Sequence, residues 1–297
     1  MPSWSSFQPF IPIGLAAGGV YALSGVGMVV LYRATGVLNL AFGAIGAMGA
    51  LIAWTMINSW HVPGGVAYVA CILFGGVLTL VYGMIFGRVL AARDPLVKAA
   101  ATLGLALLLL GVMNRLWPAQ ITRTLTLPSD SGGFTAGQAN VDWTQVIAVG
   151  FGIAMTAGTA IFLRVTKLGT AMRALADDRE ITATLGVPVR RVEAAAWFGS
   201  GLLAGAAGLL LADLDTLASD ALTFLVIFTV SAALIARLRS LVITFLAAMV
   251  IGVVDNVVTP INAITNFRDM TPFVLAIIAL LFFAGRRQYS FARGGIR

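Results

Sequence analysis

Arg173, Asp177, Asp178, Arg179, Glu180, Arg190 and Arg191 fall within residues 169–192, seven of the 31 charged side chains in a chain of 297 residues. Such a mixed-sign cluster makes and breaks no bonds; it holds a segment in water and frames a surface for a partner. Groups suited to bond chemistry are scarce. Cys71 and His61 each stand alone, which excludes an internal disulfide and a metal cluster built on cysteine or histidine. The only lysines, Lys98 and Lys167, are not preceded by glycine as a GK[ST] phosphate loop requires, so ATP hydrolysis would have to come from another chain. There is no H-E-x-x-H run and no evident nucleophile and base pair, and neither metal nor cofactor is expected here. Asp255, beside Asn256, is the one ionisable residue well inside an apolar run. It reads either as a polar cap near a helix end or as a coupling charge of the kind ion-driven transporters keep.

The elements that must position these residues follow from composition. The hydrophobic fraction is 59% and the charged fraction 10%, against about 45–50% and about 25% in soluble domains. Long uncharged runs suffice to cross a hydrocarbon core as helices. The expected fold is all-α, a polytopic integral membrane protein of one transmembrane domain over residues 1–297, with about nine spans and eight to ten possible. The spans are Phe10 to Tyr32, Leu38 to Trp54, Gly65 to Phe86, Leu96 to Met113, Gln145 to Leu163, Ala194 to Ala212, Ala221 to Ala236, Leu241 to Val258 and Thr271 to Phe283. No basic residue precedes Arg33, so the first run lacks the positive flank of a cleavable signal and is expected to be retained.

Placing the N-terminus outside puts 16 of the 19 basic residues in the cytoplasm, including Arg286, Arg287, Arg293 and Arg297, and leaves Arg115, Arg123 and Arg268 outside. The net charge of +7 is thus spread over span ends rather than one face, which favours the lipid bilayer and disfavours nucleic acid. The polar stretch 122–142 falls outside, as a solvated loop or a docking surface. Glycines recur at helix-packing spacing, among them Gly14 and Gly18, Gly43, Gly46 and Gly49, and Gly201, Gly205 and Gly208.

On this topology residues 164–193 form the longest internal loop. A helical wheel from Ala171 to Leu185 collects Ala171, Ala174, Leu175, Ile181, Thr182 and Leu185 on one face, with Asp178 among them. Gly186 then suits a left-handed C-terminal position and Pro188 prevents continuation, so one short amphipathic helix is expected. Its apolar strip either meets a partner, folds back on the protein's own helices or lies on the headgroups. For a translocation pathway, the second span is expected to be interrupted near Asn39 to Gly43, because Gly36, Gly43, Gly46 and Gly49 weaken a helix and Asn39 brings an amide into the membrane. Tyr21, Asn39 and Phe42 are the candidate lining residues, with ordinary helix packing as the alternative for Tyr21 and Phe42.

The stretch "RALADDREITATLGVPVRRVEAAAWFGSGLLAGAAGLL" resembles the cytoplasmic coupling segment and following helix of permease subunits of branched-chain amino-acid type ABC importers. The N-terminal "GLAAGGVYALSGVGMVVLYRATGVLNLAFGAIGAMGAL" resembles the opening of the same family. The chain departs from the pattern at Phe42, where the family often has His or Gln, and at Ile235, Ala236, Arg237 and Arg239, which replace glycines. Phe42 favours a substrate with an apolar portion. The resemblance implies a multi-pass permease of the bacterial cytoplasmic membrane, taking branched-chain amino acids or a related small polar or amphipathic solute. It also implies a second, paralogous permease subunit, two ATPase subunits that bind the ATP, and an extracytoplasmic solute-binding protein. Ala171, Ala174, Leu175, Asp178, Ile181, Leu185 and Gly186 would then form the ATPase coupling surface. The rivals are an autonomous secondary transporter or channel, and a membrane scaffold with no pathway.

Overall fold

The computed structural model describes residues 7–90, 93–118, 123–127, 132–136, 139–260, 270–279 and 281. The helices are α1 (Phe10–Thr35), α2 (Phe42–Asn58), α3 (Gly64–Leu90), α4 (Pro95–Leu116), α5 (Trp143–Val165), α6 (Lys167–Asp177), α7 (Arg179–Thr184), α8 (Val189–Leu214), α9 (Ser219–Ile235) and α10 (Leu241–Val258). Residues 271–279 are also helical. Among the described residues six helices, α1, α3, α4, α5, α8 and α10, are long and apolar enough to cross a membrane, and α2 and α9 are shorter apolar helices.

α1 is the hub. It is apolar nearly all round and buried along most of its length, which is how a helix reads when neighbours cover every face. α10, α8, α5 and α9 pack around it, while α8 lies in turn against α3 and α2. Small residues set these crossings. A Cβ added to Gly18 would stand 2.8 Å from the Cα of Met249 on α10, and one added to Gly46 would stand 2.7 Å from the carbonyl oxygen of Ala204 on α8. In lipid, apolar side chains gain nothing by leaving the solvent, so this close backbone approach is a main source of helix association.

The helix ends differ from expectation where side chains intervene. α8 starts directly after Pro188, so Arg190, Arg191 and Glu193 are helical rather than loop. α2 begins four residues later than expected, at Phe42. Residues 36–41 are held out of helix by local polar groups: Thr35 Oγ1 accepts from Val37 N at 3.2 Å and Asn39 Oδ1 from Ala41 N at 3.0 Å. Across the bundle, Thr102 of α4 accepts from Leu40 N at 3.0 Å and donates to the Leu38 carbonyl at 2.9 Å. The expected interruption therefore exists, but it precedes the helix instead of breaking it.

Two further corrections apply. The all-α expectation omitted an antiparallel hairpin, β1 (Gly133–Ala136) with β2 (Ala139–Asp142), inside the stretch read as a polar loop. Phe134, Thr135 and Val141 favour strands, and the Phe134 ring lies 5.9 Å from that of Trp143. The single helix expected from Ala171 to Leu185 is two helices, α6 and α7, broken at Asp178. There the backbone is extended, with φ −154°, and the carboxylate accepts from Ile181 N at 2.9 Å, capping α7. An aspartate that bonds the backbone three residues on competes with helix continuation and starts a new helix instead.

The basic residues Arg33, Lys98, Arg179, Arg190, Arg191, Arg237 and Arg239 gather at one end of the bundle, around adjoining clefts. At the other end Arg123 donates to the Pro118 carbonyl at 3.0 Å and lies over the Trp54 ring. Arg268, Arg286, Arg287, Arg293 and Arg297, and the span expected to end at Phe283, fall wholly or partly outside the described residues.

Candidate functional site

Tyr21 lies in the middle of α1 and stacks on Phe228 of α9, with ring centroids 4.5 Å apart and planes 17° apart. Phe42, the first residue of α2, is almost fully buried against Gly27 of α1. A Cβ on Gly27 would stand 2.7 Å from the Phe42 ring and 3.1 Å from the Leu203 side chain of α8. Tyr21 and Phe42 thus belong to one packed block but meet different partners, six residues apart on α1. Phe42 fills its site; the block is closed at this point.

Asn39 is 1% exposed, and while its Oδ1 is bonded within the linker, its Nδ2 is buried with no partner. Leaving a buried donor unpaired costs about 1–3 kcal/mol. The hydroxyls of Ser24 on α1 and Ser200 on α8 are buried and unpartnered as well. Ser24 stands one turn before Gly27, on which Phe42 packs, and Ser200 one turn before Leu203, which meets α1 at the same glycine. Composition drew no attention to either serine. The signal available was their position as the polar members of glycine-rich apolar helices. Asp255, expected near a helix end, is 1% exposed within α10. Its neighbour Asn256 donates to the Gly252 carbonyl at 3.0 Å.

The charged segment divides in two. α6 starts on the Thr166 hydroxyl, which accepts from Gly169 N at 2.9 Å, and turns back onto α5, α1 and α8. Met172 and Leu175 are buried there, with Ala171 packed beside them and Ala174 half-buried. Beyond Asp178 the apolar residues face outward: Ile181 is 60% and Leu185 77% exposed. Gly186 takes φ +81°, and the turn leads through Pro188 into α8. Arg179 at the head of α7 pairs with Glu193 on α8 at 2.9 Å. α7 is therefore tied to α8 at both ends.

α8 carries this attachment into the core. Thr79 of α3 donates to the Trp197 carbonyl at 2.8 Å. A Cβ on Gly75 would stand 3.0 Å from Gly205 N, and one on Gly205 would stand 2.7 Å from the Cys71 carbonyl oxygen. Further along, Gly208 lies against Gly46 of α2, four residues past Phe42. The outward tip, α8 and the block around Phe42 form one continuous set of contacts.

A family model described as "Branched-chain amino acid transport system / permease component" matches residues 10–283. The chain is similar to the high-affinity branched-chain amino acid transport system permease protein BraD of Pseudomonas aeruginosa, 24% identical over 297 residues and covering 95% of each chain. It is 25% identical over 284 residues to the corresponding permease protein LivH of Escherichia coli K12, covering 90% of this chain and 91% of that one. A probable LivH of Methanocaldococcus jannaschii is 24% identical over 252 residues, covering 80% of this chain and 76% of the relative. The family match runs through every element just described, from the hub helix to residues 271–279, and the chain belongs to the permease-component family of branched-chain amino acid transport systems.

Proposed function

We propose that the chain is the membrane permease subunit of an ATP-driven importer, taking branched-chain amino acids or a related small amphipathic solute. It pairs with a second permease subunit in a bacterial cytoplasmic membrane, receives solute from an extracytoplasmic binding protein and is driven by two ATPase subunits. The chain spans the membrane nine times with its N-terminus outside, the arrangement that puts most of its arginines and lysines on the cytoplasmic side. The observation that carries the reading is the α7 tip, where Ile181 and Leu185 are exposed on a helix fixed to α8 by the Arg179 and Glu193 pair and the Gly186 turn.

In this reading the tip enters a groove on the ATPase, and closure of the ATPases displaces α7 together with α8. α8 touches α2 at Gly208 and Gly46, so its movement shifts the start of α2 and lifts Phe42 off Gly27. That opens an apolar passage flanked by Asn39 Nδ2 and the Ser24 and Ser200 hydroxyls, which offer hydrogen bonds to the polar end of the solute. Phe42 would face its apolar side chain.

The test is uptake of labelled leucine into vesicles holding this chain with and without its ATPase, second permease and binding-protein partners. ATP-dependent uptake restricted to the full assembly is expected. A second reading, an autonomous ion-coupled transporter, rests on Asp255, a carboxylate buried inside α10. Uptake by the chain alone, driven by an ion gradient and lost in Asp255→Asn, would replace the first reading with the second.

A further inference from the structure

A cleft of about 800 Å³ opens at the basic end of the bundle, where the ends of α1 and α6, the start of α4, and the turn from α9 to α10 converge. Its charged lining is Arg33, Lys98, Arg179, Arg237 and Arg239 against one carboxylate, Asp177. Arg179 is already neutralised by its pair with Glu193 on α8. Four cations are thus held together with one acid among them, an arrangement that repels itself unless an anion enters.

The turn that delivers two of these cations is strained. Arg237 and Leu238 lie at φ +54° and +56°, in the left-handed region where a residue with a Cβ is disfavoured and glycine is free. The strained backbone is held by Leu238 N donating to the Ala233 carbonyl and Arg239 N to the Ala236 carbonyl, at 2.8 and 3.1 Å. Arg33 Nη1 reaches the Arg239 carbonyl at 3.5 Å, which ties the end of α1 to the turn. An arginine kept where glycine would cost less points to a use for its guanidinium.

Apolar surface begins immediately beside the cations. Past Arg239, Val242, Ile243 and Leu246 stand exposed along α10, and Leu96 and Val97 stand exposed just before Lys98 on α4. The flanks suit acyl chains, while the cleft suits a phosphate.

We propose that this cleft binds the phosphate of an anionic phospholipid, with the acyl chains lying along α10 and the start of α4. Basic pockets between helices at the membrane surface gain about 1 kcal/mol of attraction per Lys or Arg toward anionic lipid. The inference rests on the membrane-spanning fold and not on the transported solute or the ATPase.

The test uses the full-length chain purified in detergent and titrated with dioleoylphosphatidylglycerol, with dioleoylphosphatidylcholine and with inorganic phosphate, retained lipid being counted by native mass spectrometry. Phosphatidylglycerol should be retained in preference, and Arg237→Gly and Arg239→Gln should each weaken that retention about fivefold. Arg237→Gly also relieves the left-handed backbone, so its unfolding midpoint in phosphatidylcholine should hold or rise while its stabilisation by phosphatidylglycerol falls. Lys98→Gln changes the same cleft from a different element and should show the same loss. Equal retention of the two lipids, or an intact preference in Lys98→Gln, would overturn the assignment. Displacement of phosphatidylglycerol by inorganic phosphate at millimolar concentration would make it a soluble-phosphate site and overturn the lipid source.

Discussion

α6 and α7 lie end to end in one charged segment and carry the same kind of apolar residue, yet they use it in opposite ways. α6 buries Met172 and Leu175 on the protein's own helices, whereas α7 presents Ile181 and Leu185 to the outside. The difference is made at Asp178, whose extended backbone and bond to Ile181 N turn the second helix away from the first. An apolar strip on a helical wheel therefore does not say what covers it. The backbone between its two halves decides.

Four substitutions sharpen the contrast, from largest effect to smallest. Leu175→Asp removes a buried leucine, a truncation worth about 2–5 kcal/mol, and the cations of the adjoining cleft offset only part of that cost; the yield of monodisperse protein after membrane extraction should fall steeply. Gly186→Val puts a branched side chain at φ +81°, worth about 1–2 kcal/mol. A thermal midpoint lowered by a few degrees, with uptake reduced more than ATPase association, is the expected pair of readings. Ile181→Asp and Leu185→Asp should leave the midpoint within about 0.5 kcal/mol of wild type, as exposed substitutions do, and weaken co-purification of the ATPase. A midpoint loss in Ile181→Asp as large as that in Leu175→Asp would erase the distinction between the halves.

The spans were legible because a bilayer demands about 20 apolar residues per crossing, and that demand is written locally. α10 runs from Leu241 to Val258 as composition requires, its start marked locally by the Ser240 hydroxyl, which accepts from Ile243 N at 3.3 Å. α2 was displaced because its start is set by Thr102, more than 60 residues away in sequence, which satisfies both Leu40 N and the Leu38 carbonyl. A window around Asn39 contains the local part of that cause, the bonds of Thr35 and Asn39, but not Thr102. The break at Asp178 did leave a local sign, a carboxylate on the apolar face of the wheel. The hairpin left a weaker one, since Phe134 and Val141 are diluted by glycine and polar neighbours. At the candidate site, Asn39 and Phe42 stood out as departures from their surroundings. The buried hydroxyls of Ser24 and Ser200 did not, because a serine in an apolar helix commonly bonds its own backbone, and nothing in the sequence shows that these two do not.

The glycine crossings of α8 bear on how the protein would move. Where Gly205 meets α3 and Gly208 meets Gly46 of α2, bare backbone is in contact, while the Phe198 and Leu202 side chains cover Gly76 and Trp197 covers Gly83. Interlocked side chains act as gear teeth: one helix cannot slide past another until rotamers disengage together. Backbone against backbone works as a plain bearing, with close attraction but few teeth to clear. The Thr79 hydroxyl lies 2.8 Å from the Trp197 carbonyl and within 3.0 Å of the Gly75 and Gly76 carbonyls of its own helix, so if α8 slides, its one proton can pass from α8 to α3 like a detent that disengages without leaving the hydroxyl unpaired.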